Sequence, residues 1–292
     1  MTARTAGLRD WIELARLSNL PTVLTNVLTG GALAGAALGL EWLRLTAAGA
    51  AVVGLYVAGM MLNDVADATH DSVVRPERPI PSGRVARRDA AGAVAVLAAA
   101  AVALLAALGP APLAAGLLLL SCIVAYDLLH RQRPWTVCLM GGCRGLVYWV
   151  AAAGIAWPTS TSALIAVSAT VAIYTLAFTW VARSENEPQL DRRRWIAALL
   201  PLLVLAPALV IRPRSWIGAI AVAALLAVVL TEAARRVLRR PPRTRAAVLL
   251  WLSGLCLMDA YFLMLLERRG LAGLAMVCWV ATVIGHRRIA GT

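Results

Sequence analysis

The sequence predicts an all-α fold, a polytopic bundle of about nine transmembrane helices, and three observations carry that prediction. Apolar residues make up 61% of the chain, against roughly 45–50% in an ordinary globular domain, and the mean hydropathy is +0.76. The apolar residues gather in runs of about 20, the length that crosses a bilayer core as a helix. The charges lie between the runs: 28 basic residues, every one an arginine, give a formal net charge of +13. In a soluble protein that excess would point to nucleic acid. In short loops between apolar runs it is what the positive-inside rule produces, so the partner is the bilayer and nucleic acid is excluded.

Arg9 to Arg16 reads as a short interfacial helix, with Trp11 beside Arg9, Asp10 and Glu13. No cleavable signal peptide is evident in this polar, amphipathic stretch. The first span runs from about Leu20 to Leu40, with Pro21 at its start and Asn26 inside. Asn26 either faces a polar interior or makes an interhelical hydrogen bond. The second, about Leu45 to Leu62, ends at an acidic stretch. The third and fourth, about Ala90–Leu108 and Pro112–Leu129, join at the tight turn Gly109-Pro110-Ala111-Pro112. The fifth, about Val137 to Ala156, contains Arg144, which needs a counter-charge to sit in an apolar span. The sixth, about Ala163–Ala182, runs into a second acidic stretch. The seventh and eighth, about Trp195–Ile211 and Trp216–Ala233, precede a basic loop from Arg235 to Arg245. The ninth, about Ala246–Leu266, holds Asp259, which suits either acceptor binding or an internal hydrogen bond. A tenth, shorter run, about Leu271–Gly285, either spans or lies in the interface. The five cysteines are scattered through these runs and read as small buried hydrophobes.

The chemistry concentrates at the end of the second span. Asn63-Asp64-Val65-Ala66-Asp67-Ala68-Thr69-His70-Asp71 is followed by Arg75-Pro76-Glu77-Arg78-Pro79-Ile80-Pro81-Ser82-Gly83-Arg84. Asp64, Asp67 and Asp71 stand at i, i+3 and i+7, so a helix brings all three to one face. His70 falls off that face and reads as a surface residue. Carboxylates so placed repel one another unless a cation lies among them. Hard oxygen donors suit Mg²⁺, which keeps several waters and takes further ligands from phosphates.

With the N-terminus inside, the loops after spans two, four, six and eight are cytoplasmic. They hold Arg75, Arg78, Arg84, Arg87 and Arg88; Arg131 and Arg133; Arg183 and Arg192 to Arg194; and the cluster from Arg235 to Arg245. The opposite loops hold Arg44, Arg212, Arg214, Arg268 and Arg269. Both acidic stretches, Asp64–Asp71 and Glu185–Asp191, therefore open on the cytoplasmic side of a plasma-membrane protein. Two acidic clusters flanked by arginine loops at one membrane face suit a diphosphate. Metal bridges the carboxylates to phosphate oxygens and arginine forks pair with the rest.

The run Asn63-Asp64-x-x-Asp67-x-x-x-Asp71, then Arg75-x-x-Arg78-Pro79-x-Pro81-x-Gly83, resembles the first aspartate-rich motif and following loop of the UbiA superfamily of intramembrane prenyltransferases. Arg16-x-x-Asn19-x-Pro21 and Asn26 also resemble that family's first helix. The resemblance implies one membrane-embedded domain over residues 1–292, a helical bundle around a lipid-open central cavity. It further implies Mg²⁺ and transfer of an isoprenoid from its diphosphate to a hydrophobic or aromatic acceptor. Asp64, Asp67 and Asp71 would be the metal and catalytic carboxylates, with Asn63, Arg75, Arg78 and Arg144 on the diphosphate side. The family's second motif is a DxxxD-type run, where this chain has Ser184-Glu185-Asn186-Glu187-x-x-x-Asp191. Glu185 and Glu187 then stand for aspartates as metal ligands, a departure similar to the EboC-like branch. The Tyr-x-x-x-Lys signature corresponds to Tyr126-Asp127-Leu128-Leu129-His130-Arg131, with catalytic Arg131 in place of lysine. Two other functions remain open to the sequence: a terpene cyclase of the same superfamily, which needs no acceptor, and a transporter of an anionic amphiphile.

Overall fold

The computed structural model describes residues 6–35, 40–156, 160–183, 196, 199–200 and 202–288. Helix α1 (Leu8–Leu14) leads into α2 (Leu20–Leu33), α3 (Leu40–Val74), α4 (Arg87–Leu108), α5 (Pro110–Leu129), α6 (Val137–Ile155) and α7 (Thr161–Ala182). After residues described only in part come α8 (Ile217–Leu238), α9 (Thr244–Leu265) and α10 (Arg269–Arg288). Eight helices among the described residues, α3 to α10, are long and apolar enough to cross a membrane. Helices α3 to α7 pack each against the next, as do α8, α9 and α10, and α2 lies against α3, α6, α9 and α10. The chain is a multi-pass membrane bundle.

The difference from about nine spans has two local causes. Helix α2 has 14 residues, about 21 Å at 1.5 Å per residue, and it stops at Gly35, whose φ of +81° is open to glycine and breaks the helix. The seventh run, 195–211, is described only in part, and its described end is a 3₁₀ turn, Ala206–Leu209. The tenth run is the reverse case. It forms the 20-residue helix α10 and is one of the eight candidates.

Helix α3 positions the rest. It is 35 residues long, about 52 Å, against a hydrocarbon core of about 30 Å. Its last turns, which carry Asn63 to Asp71, therefore continue the transmembrane helix as one rigid rod. It ends where Pro76 excludes the helical conformation from Arg75. The loop that follows folds back, because Ile80 and Val85 bury against Leu14 of α1 and Met61 of α3. At the opposite end of the bundle, Arg44 donates to the carbonyls of Leu108 (2.8 Å) and Gly154 (2.9 Å), closing the last turns of α4 and α6.

Close helix contacts depend on small residues, as membrane packing requires. A Cβ at Gly141 on α6 would lie 2.4 Å from the Ala172 carbonyl oxygen on α7, whereas one at Gly142 would meet nothing within 4 Å. Gly141→Ala is therefore expected to cost about 1–3 kcal/mol by overpacking, read as a lower midpoint in a detergent melting curve. Gly142→Ala should melt at or above wild type, since alanine is the better helix former. Equal midpoints would show that the α6–α7 contact tolerates a methyl group.

Candidate active site

Arg16 begins the site, in the turn between α1 and α2. Its φ is +45°, a region a non-glycine residue seldom occupies. The strained turn is tied down by the Tyr56 hydroxyl, which donates to the Arg16 carbonyl at 3.1 Å. Held this way, the guanidinium donates to Asp64 Oδ1 (3.0 Å) and Asn63 Oδ1 (3.3 Å). Arg78 reaches the same carboxylate from the returning loop (3.3 Å) and donates to Asp71 Oδ2 at 2.6 Å. Asp64 and Asp71 are 6% and 5% exposed, so these are desolvated pairs. Asp67 faces the end of α5 instead, with Arg131 and His130 Nε2 each at 3.3 Å.

Further bonds hold these groups in place. Arg84 pairs with Asp10 and Glu13, fastening α1 to the loop. Its bond to Glu13 leads the contributions that raise its pKa above the ordinary arginine value. Arg183, at the end of α7, donates to the carbonyls of His130 (2.6 Å) and Pro134 (3.0 Å). That fixes the α5–α6 connection bearing His130 and Arg131.

These residues line two polar cavities. One, about 490 Å³, has Asn63, Asp67, Asp71, Arg75 and Arg131 on its walls. It extends to the apolar Met60, Met140, Phe178 and Leu252. The other, about 340 Å³, is lined by Asp64, Arg245, Glu13 and Glu77 and shares Arg16, Arg75 and Arg78 with the first. The arrangement is amphipathic: charge at one end of the bundle and hydrocarbon further in.

The structure thus gathers Asn63, Asp64, Asp67, Asp71, Arg75, Arg78 and Arg131 at one end of the bundle. Arg144 also lines the larger cavity, but its guanidinium is engaged with Asn26 Oδ1 and Thr22 Oγ1, both at 3.0 Å. Glu185 and Glu187 lie outside the described residues. His70 is exposed, as expected of a surface residue, and it also lines the larger cavity, because it follows Asn63 by two helical turns on the same side of α3. The Tyr126 count also shifts by one, since the residue four after Tyr126 is His130. Both His130 and Arg131 reach Asp67. Arg16 belongs to the site although sequence reasoning placed it only in a resemblance. Asp127, missed altogether, accepts a hydrogen bond from Asn63 Nδ2 at 3.3 Å.

Among the described residues no three His, Cys, Asp or Glu side chains group closely enough to hold a metal by themselves. The donor set nonetheless fits Mg²⁺, which takes one or two carboxylates and fills its octahedron with water and substrate phosphate. Asp64, Asp67 and Asp71 offer hard oxygens from one helix, each already beside a cation.

A family model described as the UbiA prenyltransferase family matches residues 23–255. Two curated digeranylgeranylglyceryl phosphate synthases are similar over part of the chain. That of Ignicoccus hospitalis is 34% identical over 119 residues, 41% of this chain and 37% of its own. That of Methanopyrus kandleri is 40% identical over 83 residues, 28% of this chain and 30% of its own. The matched stretch thus spans about a third of the length of these curated relatives. A structure solved in work on digeranylgeranylglyceryl phosphate synthase in membranes superposes with a TM-score of 0.65 at 14% identity, covering 89% of this chain and 99% of that one. A UbiA homologue from Archaeoglobus fulgidus, bound to GPP and Mg²⁺, gives 0.60 at 12% identity, covering 88% and 99%. At such identities the structural likeness shows the fold.

Proposed function

The chain belongs to the UbiA prenyltransferase family, and from that premise we propose that it transfers an isoprenyl group from an allylic diphosphate to a hydroxyl of a membrane-soluble lipid phosphate. The observation that carries this reading is the larger cavity, where Asp67, Asp71 and Asn63 face Arg75, Arg78 and Arg131 above an apolar interior. The carboxylates Asp64, Asp67 and Asp71 would hold Mg²⁺, with Glu185 and Glu187 as further ligands. Once bound, the metal would neutralise charge on the diphosphate. Arg78, Arg75 and Arg131 would take its remaining oxygens, and Arg16 holds Asp64 and Asn63 in position. As the C1–O bond to the diphosphate breaks, these fixed cations stabilise the charge that develops on the leaving group. The apolar walls at Phe178 and Leu252 would receive the isoprenoid tail and keep water from the allylic cation.

The acceptor class is argued from the two curated relatives, whose names describe geranylgeranyl groups on a glyceryl phosphate. Magnesium is argued from the donor chemistry of the site and from the A. fulgidus homologue. The arginine asymmetry supports a site opening to the cytoplasm, within a single domain over residues 1–292.

Purified protein given geranylgeranyl diphosphate, a prenyl glyceryl phosphate monoether and Mg²⁺ should release diphosphate and yield the diether. Chelation with EDTA should lower turnover at least 100-fold, and added Mg²⁺ should restore it. Full turnover in EDTA would remove the metal from the mechanism. A cyclic hydrocarbon formed from the donor alone would overturn the transferase reading in favour of a cyclase.

A further inference from the structure

Asp127 is a buried carboxylate left half-satisfied. It is 5% exposed. Its Oδ1 accepts from Asn63, while its Oδ2 is fully buried and has no hydrogen-bond partner among the described residues. An unpaired buried polar atom costs roughly 1–3 kcal/mol, and such groups persist where they serve a function. Asp127 also lines a third cavity, about 100 Å³, between α3, α5 and α6. This chamber adjoins the larger polar cavity: Tyr56, Met60, Met140 and Arg144 line both.

The chamber's chemistry selects its occupant. Most of its wall is apolar, including Val52, Leu119 and Ile123, so a hydrated metal ion would lose its waters without replacement. Arg144 disfavours a second cation there and Asp127 disfavours an anion. A neutral group that can donate to a carboxylate and accept from a guanidinium meets both, and that group is a hydroxyl. We propose that Asp127 is an acceptor-binding residue: a turn of its carboxylate brings Oδ2 into the chamber, where it receives the hydrogen bond of the acceptor hydroxyl and directs that oxygen toward the allylic carbon. This rests on the transferase reading above and adds to it the residue that selects an alcohol nucleophile.

The decisive variant is Asp127→Asn, which keeps the shape and the contact with Asn63; Asp127→Ala is its companion. For each, the KM for the prenyl glyceryl phosphate acceptor is measured separately from the KM for geranylgeranyl diphosphate, together with the melting midpoint. We expect the acceptor KM to rise at least tenfold in Asp127→Asn and further in Asp127→Ala. The donor KM should stay within about twofold in Asp127→Asn. The midpoint of Asp127→Asn should equal or exceed wild type, because the unpaired carboxylate is gone. An unchanged acceptor KM would mean that Oδ2 meets only a water, and would overturn the proposal. A fall in the midpoint with both KM values unchanged would make Asp127 purely structural and overturn it equally. If the wild-type protein binds the donor but alkylates no hydroxyl, the proposed function itself has failed, and this inference with it.

Discussion

Asp64→Ala is expected to abolish prenyl transfer while leaving the protein folded. The carboxylate is the point where two chain segments meet, the turn before α2 through Arg16 and the loop after α3 through Arg78. Removing it deletes a proposed metal ligand and leaves two guanidinium groups facing each other across the cavity wall without their shared anion. Both losses fall on groups that must stabilise the departing diphosphate, so kcat/KM should drop by at least 10³, about 4 kcal/mol at 1.36 kcal/mol per tenfold. The fold should survive because Arg78 retains its 2.6 Å bond to Asp71 and the loop keeps its apolar anchor at Ile80 and Val85. Asp89→Ala serves as the control. Among the described residues its one ion pair is with neighbouring Arg88, and both side chains are more than half exposed, where an ion pair contributes little. Product formation assayed in the same detergent preparation decides the matter. Retention of a tenth or more of wild-type turnover in Asp64→Ala would move the reacting site elsewhere.

The residues behind that prediction show what a sequence can and cannot carry. Asp64, Asp67 and Asp71 were legible because helical spacing is fixed: whatever else the chain does, i, i+3 and i+7 share a face. The arginine loops were legible because charge cannot remain in hydrocarbon. Arg16 was harder, since its role depends on a left-handed backbone conformation that a residue name does not announce. Asp127 could not be told from a solvated helix-end aspartate; only its burial and its unpartnered Oδ2 mark it. The available signal was its place directly after Tyr126, at the same end of the bundle as the acidic motif. His130 and Arg131 are neighbours in sequence, so only the three-dimensional turn shows that both reach Asp67. The length of α2 was set by the conformation of Gly35, which its place in an apolar run of alanine and glycine does not announce.

The polar residues inside the membrane form one network, and Asp259→Ala is expected to be the most destabilising single change in it. Thr22, Asn26, Tyr148 and Asp259 are each 0% exposed. Tyr148 donates to Asp259 Oδ1 at 2.6 Å, and Asn26 Nδ2 donates to Asp259 Oδ2 and to the Tyr148 oxygen, both at 2.7 Å. Asn26 Oδ1 in turn accepts from Arg144, so the amide relays between an intramembrane anion and a cation. That bond set joins α2, α6 and α9. With Asp259 replaced by alanine, the Tyr148 hydroxyl loses its acceptor, Asn26 Nδ2 keeps only the phenol oxygen, and Arg144 loses its balancing charge. Breaking a buried pair from one side costs about 3–5 kcal/mol in soluble proteins, whereas single bonds in membrane interiors average nearer 0.6. Several bonds lost together place the expectation at about 3 kcal/mol. Asp259→Asn, which keeps an oxygen for Tyr148, should fall between alanine and wild type. Because Arg144 also lines the larger cavity and the adjoining chamber, loss of activity should accompany loss of stability rather than precede it. A rise in acceptor KM at an unchanged melting midpoint would be the signature of the other role Asp259 could have, direct contact with the acceptor, and would sink the structural assignment.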